Sequence, residues 1–349
     1  LITGGVLTAG ALAAAAVLVA NGQLGTGPAG PGGAPARAGS APVQLTARQI
    51  LLTAAASTVK SPATGRYWHT TEIDGQTSDN NPQHATYEIA SRTQVDSWVA
   101  RSPAQRTWTI RKPLSVEPAT PADRAAWRAA GAPSSVHTSG KPVGNADLIT
   151  MSPGPAVATW QPGTANAFTT QMTRGQLDRL PADPGKLASI LRQRIMSRLP
   201  APLQGRQALA NGQLLNFGVG LLTDPVSAQV RAADYRMIAA LPGMRAMGQV
   251  RDVLGRTGYG VASIGPGQFD GYGVLRFTEE DLLVINPSTG ALLAYEQIVR
   301  GPAAGATAGS IAPWQPGEPF SYQAFLRSGW TSQAPHLPAT QLGPANGAG

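Results

Sequence analysis

The spacing of apolar positions switches between two periods along this chain, and each switch predicts a change of element. Residues 46–60 place Ile50, Leu51, Ala54 and Ala55 at helical spacing behind Thr46, a residue suited to cap a helix N-terminus. From residue 66 the period becomes two. Segments 66–74, 85–91, 93–101 and 106–111 alternate apolar and polar side chains, which predicts an antiparallel meander with one wet face. Their aromatic residues, Tyr67, Trp68, Tyr87, Trp98 and Trp108, are expected in core packing more than in a binding cleft. Residues 112–164 are rich in Pro, Ser and Gly, and only 121–130 reads as helix.

The helical period returns at residue 173. A short turn at 177–180 precedes a helix that starts at Asp183-Pro184 and runs to about Arg198, where Pro200 and Pro202 stop it. Helices at 207–222 and 225–241 follow, the second with Asp224 as expected N-cap and Pro225 in its first turn. Leu214, Leu215, Phe217, Leu221 and Leu222 read as core. The stretch 236–296 organises what comes next: an apolar helix end stopped by Pro242-Gly243, then strands at 244–253, 259–264 and 273–277, then a hairpin over 282–298 that turns at Asn286-Pro-Ser-Thr-Gly290. Beyond it only 319–330 looks ordered, as a docking segment. Helix, strands, helices, strands in that order predict an α+β domain in which helices cover an antiparallel sheet.

The ends read differently. Residues 1–20 hold no charged side chain and are long enough to cross a bilayer, so they predict a transmembrane helix or signal-anchor. Residues 21–44, rich in Gly, Pro and Ala, predict a disordered linker; 45–330 is the expected extracytoplasmic domain, and 331–349 a disordered tail. The absence of cysteine excludes disulfides, thiolate metal sites, a Cys nucleophile and a lipidated Cys anchor. The formal charge is +8, from 27 Lys and Arg against 19 Asp and Glu, but the basic residues are scattered. Arg192, Arg194 and Arg198 form the nearest thing to a cluster, and nucleic acid is not an expected partner.

Short motifs add little chemistry. Gly25-Thr-Gly27-Pro-Ala-Gly30 matches a dinucleotide fingerprint formally, yet no strand precedes it and Pro28 breaks the turn. Ser57-Thr-Val-Lys60 lacks the companion motifs of penicillin-recognising enzymes. His69 and Glu72 fall on opposite sides of a strand. Glu279-Glu280-Asp281 lacks an interleaved ligand spacing and reads as a solvated turn; Arg231 and Asp234 read as a surface ion pair. The four histidines, His69, His84, His137 and His336, are scattered, and no nucleophile elbow, metalloprotease helix or phosphate loop occurs. No catalytic, cofactor-binding or metal-ligating residue is assigned from the sequence, and no cofactor is expected.

Gly65-Arg-Tyr-Trp68, Asp96-Ser-Trp98, Leu180-Pro-Ala-Asp-Pro184, Ala240-Leu-Pro-Gly243, Gly255-Arg-Thr-Gly258 and Ile285-Asn-Pro-Ser-Thr-Gly290, in that order, resemble an uncharacterised actinobacterial family of single-pass membrane proteins with one extracytoplasmic domain. The resemblance covers about 45–299, and Asn286 stands where that family often has Asp. The element order is also similar to the curved half-barrel of periplasmic lipoprotein carriers and envelope-stress sensors, which implies a concave sheet covered by helices that holds acyl chains or a protein. Fold alone does not fix function. The resulting expectation is a cell-membrane protein with its main domain outside the cytoplasm. It would be a non-enzymatic binding or sensing domain whose partner is a lipid, a lipoprotein or an envelope protein. The alternatives are a structural envelope protein and an envelope hydrolase, whose paired carboxylates no sequence motif reveals.

Overall fold

A computed structural model describes residues 45–59, 64–79, 87–137, 148–163, 172–198, 207–266, 277–303 and 316–344. The helix expected at 1–20, the linker at 21–44, Lys60, His84 and most of the strand expected at 273–277 lie outside the described residues. Among the described residues no helix is long and apolar enough to cross a membrane.

Helix α1 (Ala47–Thr58) begins as its sequence predicts. The Thr46 hydroxyl accepts the Gln49 amide at 3.2 Å, and the Gln49 side chain accepts the Thr46 amide at 2.8 Å, a reciprocal cap. The first meander follows as β1 (Tyr67–Asp79), β2 (Glu88–Ala100) and β3 (Arg106–Pro118); β2 runs unbroken through two segments the pattern separates. Helix α2 (Pro121–Ala129) and the small hairpin of β4 (Ser135–His137) and β5 (Leu148–Thr150) contribute to a cluster around Tyr87 and Ile89. Strand β6 (Val157–Pro162) returns to β3.

Four helices come next: α3 (Arg174–Leu177), α4 (Pro184–Met196), α5 (Gln207–Thr223) and α6 (Ala228–Ile238). The cap of α6 corrects the sequence reading. Ser227, not Asp224, accepts the amide of Val230, and the helix starts three residues after Pro225. Asp224 lies in the tight connection between α5 and α6, where its carbonyl is needed by Arg231. The second meander is β7 (Arg245–Arg251), β8 (Thr257–Pro266), β9 (Phe277–Asn286) and β10 (Ala291–Pro302). The β9–β10 turn is the one predicted: the Gly290 amide donates to the Asn286 carbonyl at 2.9 Å, and Gly290 adopts φ of 71°.

The last two strands depart from the expectation for the C-terminal residues. Residues 319–330, expected to be an ordered docking segment, form β11 (Pro319–Thr331) in the middle of the sheet, paired with β1 on one side and β10 on the other. The tail expected from 331 contains β12 (Thr340–Pro344), which pairs in parallel with β6, and Leu337 packs on the Trp98–Trp108 cluster. The full order is β12-β6-β3-β2-β1-β11-β10-β9-β8-β7, a curved sheet not closed into a barrel. Among the described residues the two meanders thus join edge to edge through β11.

Period-two alternation sorts the side chains of this sheet. Trp68, Val99, Phe325, Tyr295, Leu283 and Val261 share one face by register, and all belong to the core formed with α1, α4, α5 and α6. Two residues on at a time, the same face continues through Glu72 and Asp74 on β1, Gln323 on β11, Gln297 on β10, and Asp281 and Glu279 on β9. One end of the face is apolar and covered by helices; the other is polar.

Candidate functional site

The sheet splits at the apolar end. The register of β10 and β11 starts at Ala294–Ala324 and runs to Ile298–Pro319. Beyond Ala324, β11 follows β1, whereas the start of β10 stays with β9. Each of the two strands has an extra residue beside the fork: Leu326 is skipped in the β1–β11 register and Leu293 in the β9–β10 register. Such bulges bend a strand and raise its local twist, which turns the two strands apart. Arg256, from the β7–β8 turn, bridges the gap: Nη1 donates to the Phe325 carbonyl at 2.7 Å and Nη2 to the Leu293 carbonyl at 2.6 Å. Its Nε donates to the buried Asp252 carboxylate at 2.7 Å, so the bridging cation is itself fixed.

A cleft of about 480 Å³ opens at this fork, a volume in the usual range for small-ligand sites. The α5–α6 connection, the end of α1, the Thr289–Gly290 tip and β11 wall it. Trp68 and Trp330 meet edge to face in its lining, 5.6 Å between centroids. The Trp68 indole N–H donates to the Thr223 carbonyl at 2.6 Å, which sets the ring against the helical layer. Guanidinium groups sit over both rings: Arg231 4.7 Å from Trp68, and Arg101 and Arg174 4.1 and 5.3 Å from Trp330. Arg231 is 7% exposed. Its Nε donates to the Leu222 carbonyl at 3.0 Å and its Nη2 to the Asp224 carbonyl at 2.9 Å; burial lowers its pKa to about 10. The surface ion pair expected with Asp234 is therefore overturned. Both residues are buried, Arg231 spends its donors on carbonyls that end α5, and neither Asp234 oxygen has a hydrogen-bond partner. Burial holds the Asp234 carboxyl well above the usual carboxylate range.

The polar end of the same face holds a smaller cavity, about 240 Å³, lined by Asp74, Gln76, Tyr295, Gln297, Ser321 and Gln323 among others. Burial, reinforced by the neighbouring Asp74, pushes the Glu72 carboxyl up to about 8, and burial raises Asp74 as well. Across β11 and β10, burial and the Asp281 charge push Glu279 up to about 8, and burial lifts Asp281 to about 6. The Tyr295 hydroxyl contacts both the Asp281 carboxylate and Asn216 of α5. The solvated turn expected at Glu279-Glu280-Asp281 is thus the interior of β9, with all three acids buried. Glu280 alternates to the opposite face, where Arg245 at 3.3 Å and Arg300 neutralise it. Among the described residues no group of three His, Asp or Glu could hold a metal ion.

The remaining candidates separate. His69 faces away from Glu72, as alternation predicts, and stacks on Trp98 at 3.7 Å. Its Nε2 lies 3.1 Å from both the Asp96 carboxylate and the Thr71 hydroxyl, and Thr71 donates to Asp96 at 2.6 Å. Burial pulls the Asp96 pKa up, but hydrogen bonds from His69, Thr71 and Gln94 outweigh it and hold the carboxyl low. A nucleophile and a carboxylate must engage opposite ring nitrogens to pass a proton through an imidazole; here both meet the same one. His336 is exposed on the segment after β11, and His137 ends β4.

Sequence reading missed the cleft entirely. Its arginines come from five separate segments, and none carries a local signature. Comparison with known proteins finds no matching family model, no matching curated protein and no matching solved structure.

Proposed function

We propose that this chain is a membrane-anchored, extracytoplasmic binding or sensing domain, non-enzymatic, that seats its ligand at the fork between β10 and β11. The observation that carries the reading is the 480 Å³ cleft between sheet and helices, with Trp68 and Trp330 in its wall. Two indoles offer large, rigid apolar area at small entropic cost, as ligand sites demand. The uncharged residues 1–20 and the Gly/Pro/Ala-rich 21–44 support an anchor and a spacer that present the domain at the outer face of a cell membrane. The resemblance to the uncharacterised actinobacterial membrane proteins and to the lipoprotein-carrier half-barrel belongs to this proposal. The curved, unclosed sheet with helices on one face is the part of it that the geometry favours.

Native mass spectrometry of the full chain, released from bacterial membranes in mild detergent, tests the reading. A non-covalent adduct is expected. An apo mass that envelope lipids do not shift, with unchanged tryptophan fluorescence, overturns it and leaves a structural envelope role.

One observation favours a second reading, an envelope hydrolase. Glu72 stands beside Asp74 on the inner face with its carboxyl pushed up to about 8, the protonation state a general acid needs. Turnover of an envelope polysaccharide or ester by the full chain, lost in Glu72→Gln, selects it.

A further inference from the structure

The lining of the cleft is strongly one-sided in charge. Arg101, Arg174, Arg231, Arg256 and Arg327 contribute to it against a single carboxylate, Asp178. Arg174 pairs with Asp178 at 2.9 Å, and Arg256 with Asp252 at 2.6 Å. Arg231 is met by the main-chain carbonyls of Leu222 and Asp224, with the Asp234 and Asp224 carboxyls near enough to act on its charge. Arg101, exposed to solvent, and the half-buried Arg174 both lie over the π density of Trp330. A cationic wall packed on indoles is prepared for an anion, since a charged head group forms shorter and stronger hydrogen bonds with guanidinium than a neutral one. The rest of the lining is apolar: Leu222, Val226, Leu292 and Phe325 lie beside the two indoles.

We infer that the fork cleft selects a phosphate-bearing amphiphile, its anionic head against Arg101, Arg174 and Arg231 and its apolar part along Trp68, Leu292 and Phe325. The inference rests on the proposed binding role of this cleft and adds the charge of the ligand. Arg231 orients Trp68 and closes the α5–α6 connection, so it serves as fixed positive background. Arg101 and Arg174, standing on Trp330, are the groups that turn toward the head. Arg256 holds the fork open at a set width, because it ties the Phe325 and Leu293 carbonyls to one rigid plane.

The test uses the full chain in solution and follows tryptophan fluorescence during titration with four probes below their micellar concentrations. These are dihexanoyl phosphatidic acid, dihexanoyl phosphatidylcholine, dihexanoyl glycerol and inorganic phosphate. Phosphatidic acid is expected to bind about tenfold or more tighter than either uncharged-overall lipid, the ratio that one or two charge-assisted contacts supply. The Arg101→Gln/Arg174→Gln variant, checked for an unchanged thermal transition, is expected to lose that preference while retaining binding of dihexanoyl glycerol. Equal affinity for all three lipids overturns anion selection and leaves the binding role standing. Inorganic phosphate binding as tightly as phosphatidic acid overturns the amphiphile in favour of a plain phosphate site. No binding of any probe overturns both the inference and the choice of this cleft as the ligand seat. If the double variant unfolds, Arg101→Lys/Arg174→Lys replaces it. That variant keeps the charge but loses the planar fork, and unchanged phosphatidic acid affinity in it overturns the assigned guanidinium contacts.

Discussion

Two ends of one sheet face carry opposite chemistry. At the helix-covered end, Leu283, Ile285 and Val261 are fully buried, and the cleft lining holds five arginines and one acid, Asp178. At the other end, a few residues along the same strands, the charges are carboxylates with raised pKa values. Strand β9 holds both: Glu279 and Asp281 lie in register with Leu283 and Ile285. The difference shows that the helices, not the strands, decide which part of the face is core. Where α1, α5 and α6 sit, apolar side chains lose water; where they stop, the same alternation delivers polar groups to a cavity. It also separates sources of stability. The covered end is stabilised by packing, and the polar end is set by protonation.

Gly290→Ala should break the covered end with the largest effect. A Cβ there would lie 2.7 Å from the Ala54 carbonyl oxygen and 2.8 Å from the Thr58 amide, at φ of 71°, and Tyr235 donates to the Gly290 carbonyl at 3.0 Å. A loss of roughly 3 kcal/mol is expected, from clash and strain together, read by urea denaturation.

The polar end should respond to pH instead. Glu72, Glu279 and Asp281 have folded pKa values above their unfolded ones, so the folded state binds more protons. Their contribution is fully present below about pH 4 and is lost as pH rises through about 6 for Asp281 and about 8 for the two glutamates. Asp96, held low, acts in the opposite sense only at strongly acid pH. Thermal melts should therefore show higher stability at pH 5 than at pH 8.5. Glu279→Gln should flatten that slope by about 1–3 kcal/mol, and an unchanged slope would place the raised carboxyl elsewhere.

Arg256→Gln should loosen the fork between the two ends. It removes two carbonyl contacts and leaves Asp252 buried without its cation, for about 1–3 kcal/mol. Faster hydrogen exchange confined to β10 and β11 near the fork is the signature. Gly265→Ala, on β8 where a Cβ meets nothing within 4 Å, should change stability by less than about 0.5 kcal/mol. A large loss there would mean that the polar end is packed after all.

Local chemistry was legible where one residue decides it: the Thr46 cap, the Asp183 cap and the Asn286–Gly290 turn all form as spacing predicts. Errors arose where tertiary contact overrides local preference. Asp224 suits an N-cap, yet the buried Arg231 claims its carbonyl, and Ser227 caps α6 instead. Three consecutive acids look like a turn, yet Phe277, Glu279, Asp281 and Leu283 alternate along a strand, with Glu279 and Asp281 buried on its inward face. The cleft could not be read at all, because its arginines meet only when β11 enters the sheet.

The central place of β11 has a consequence for how the molecule is made. The ribosome delivers this strand after both meanders, so the open edge of β1, complete at Asp79, waits for it through most of the synthesis of the domain, whereas β10 ends shortly before it. At common translation rates the wait of β1 is on the order of tens of seconds, long enough for its edge to recruit a neighbouring chain. A premature stop before residue 319 would leave two half-sheets with no common strand and a ligand seat lacking one wall. Proofreading machinery would meet it as two unsealed fragments, and only a product that includes this strand could pass as one body.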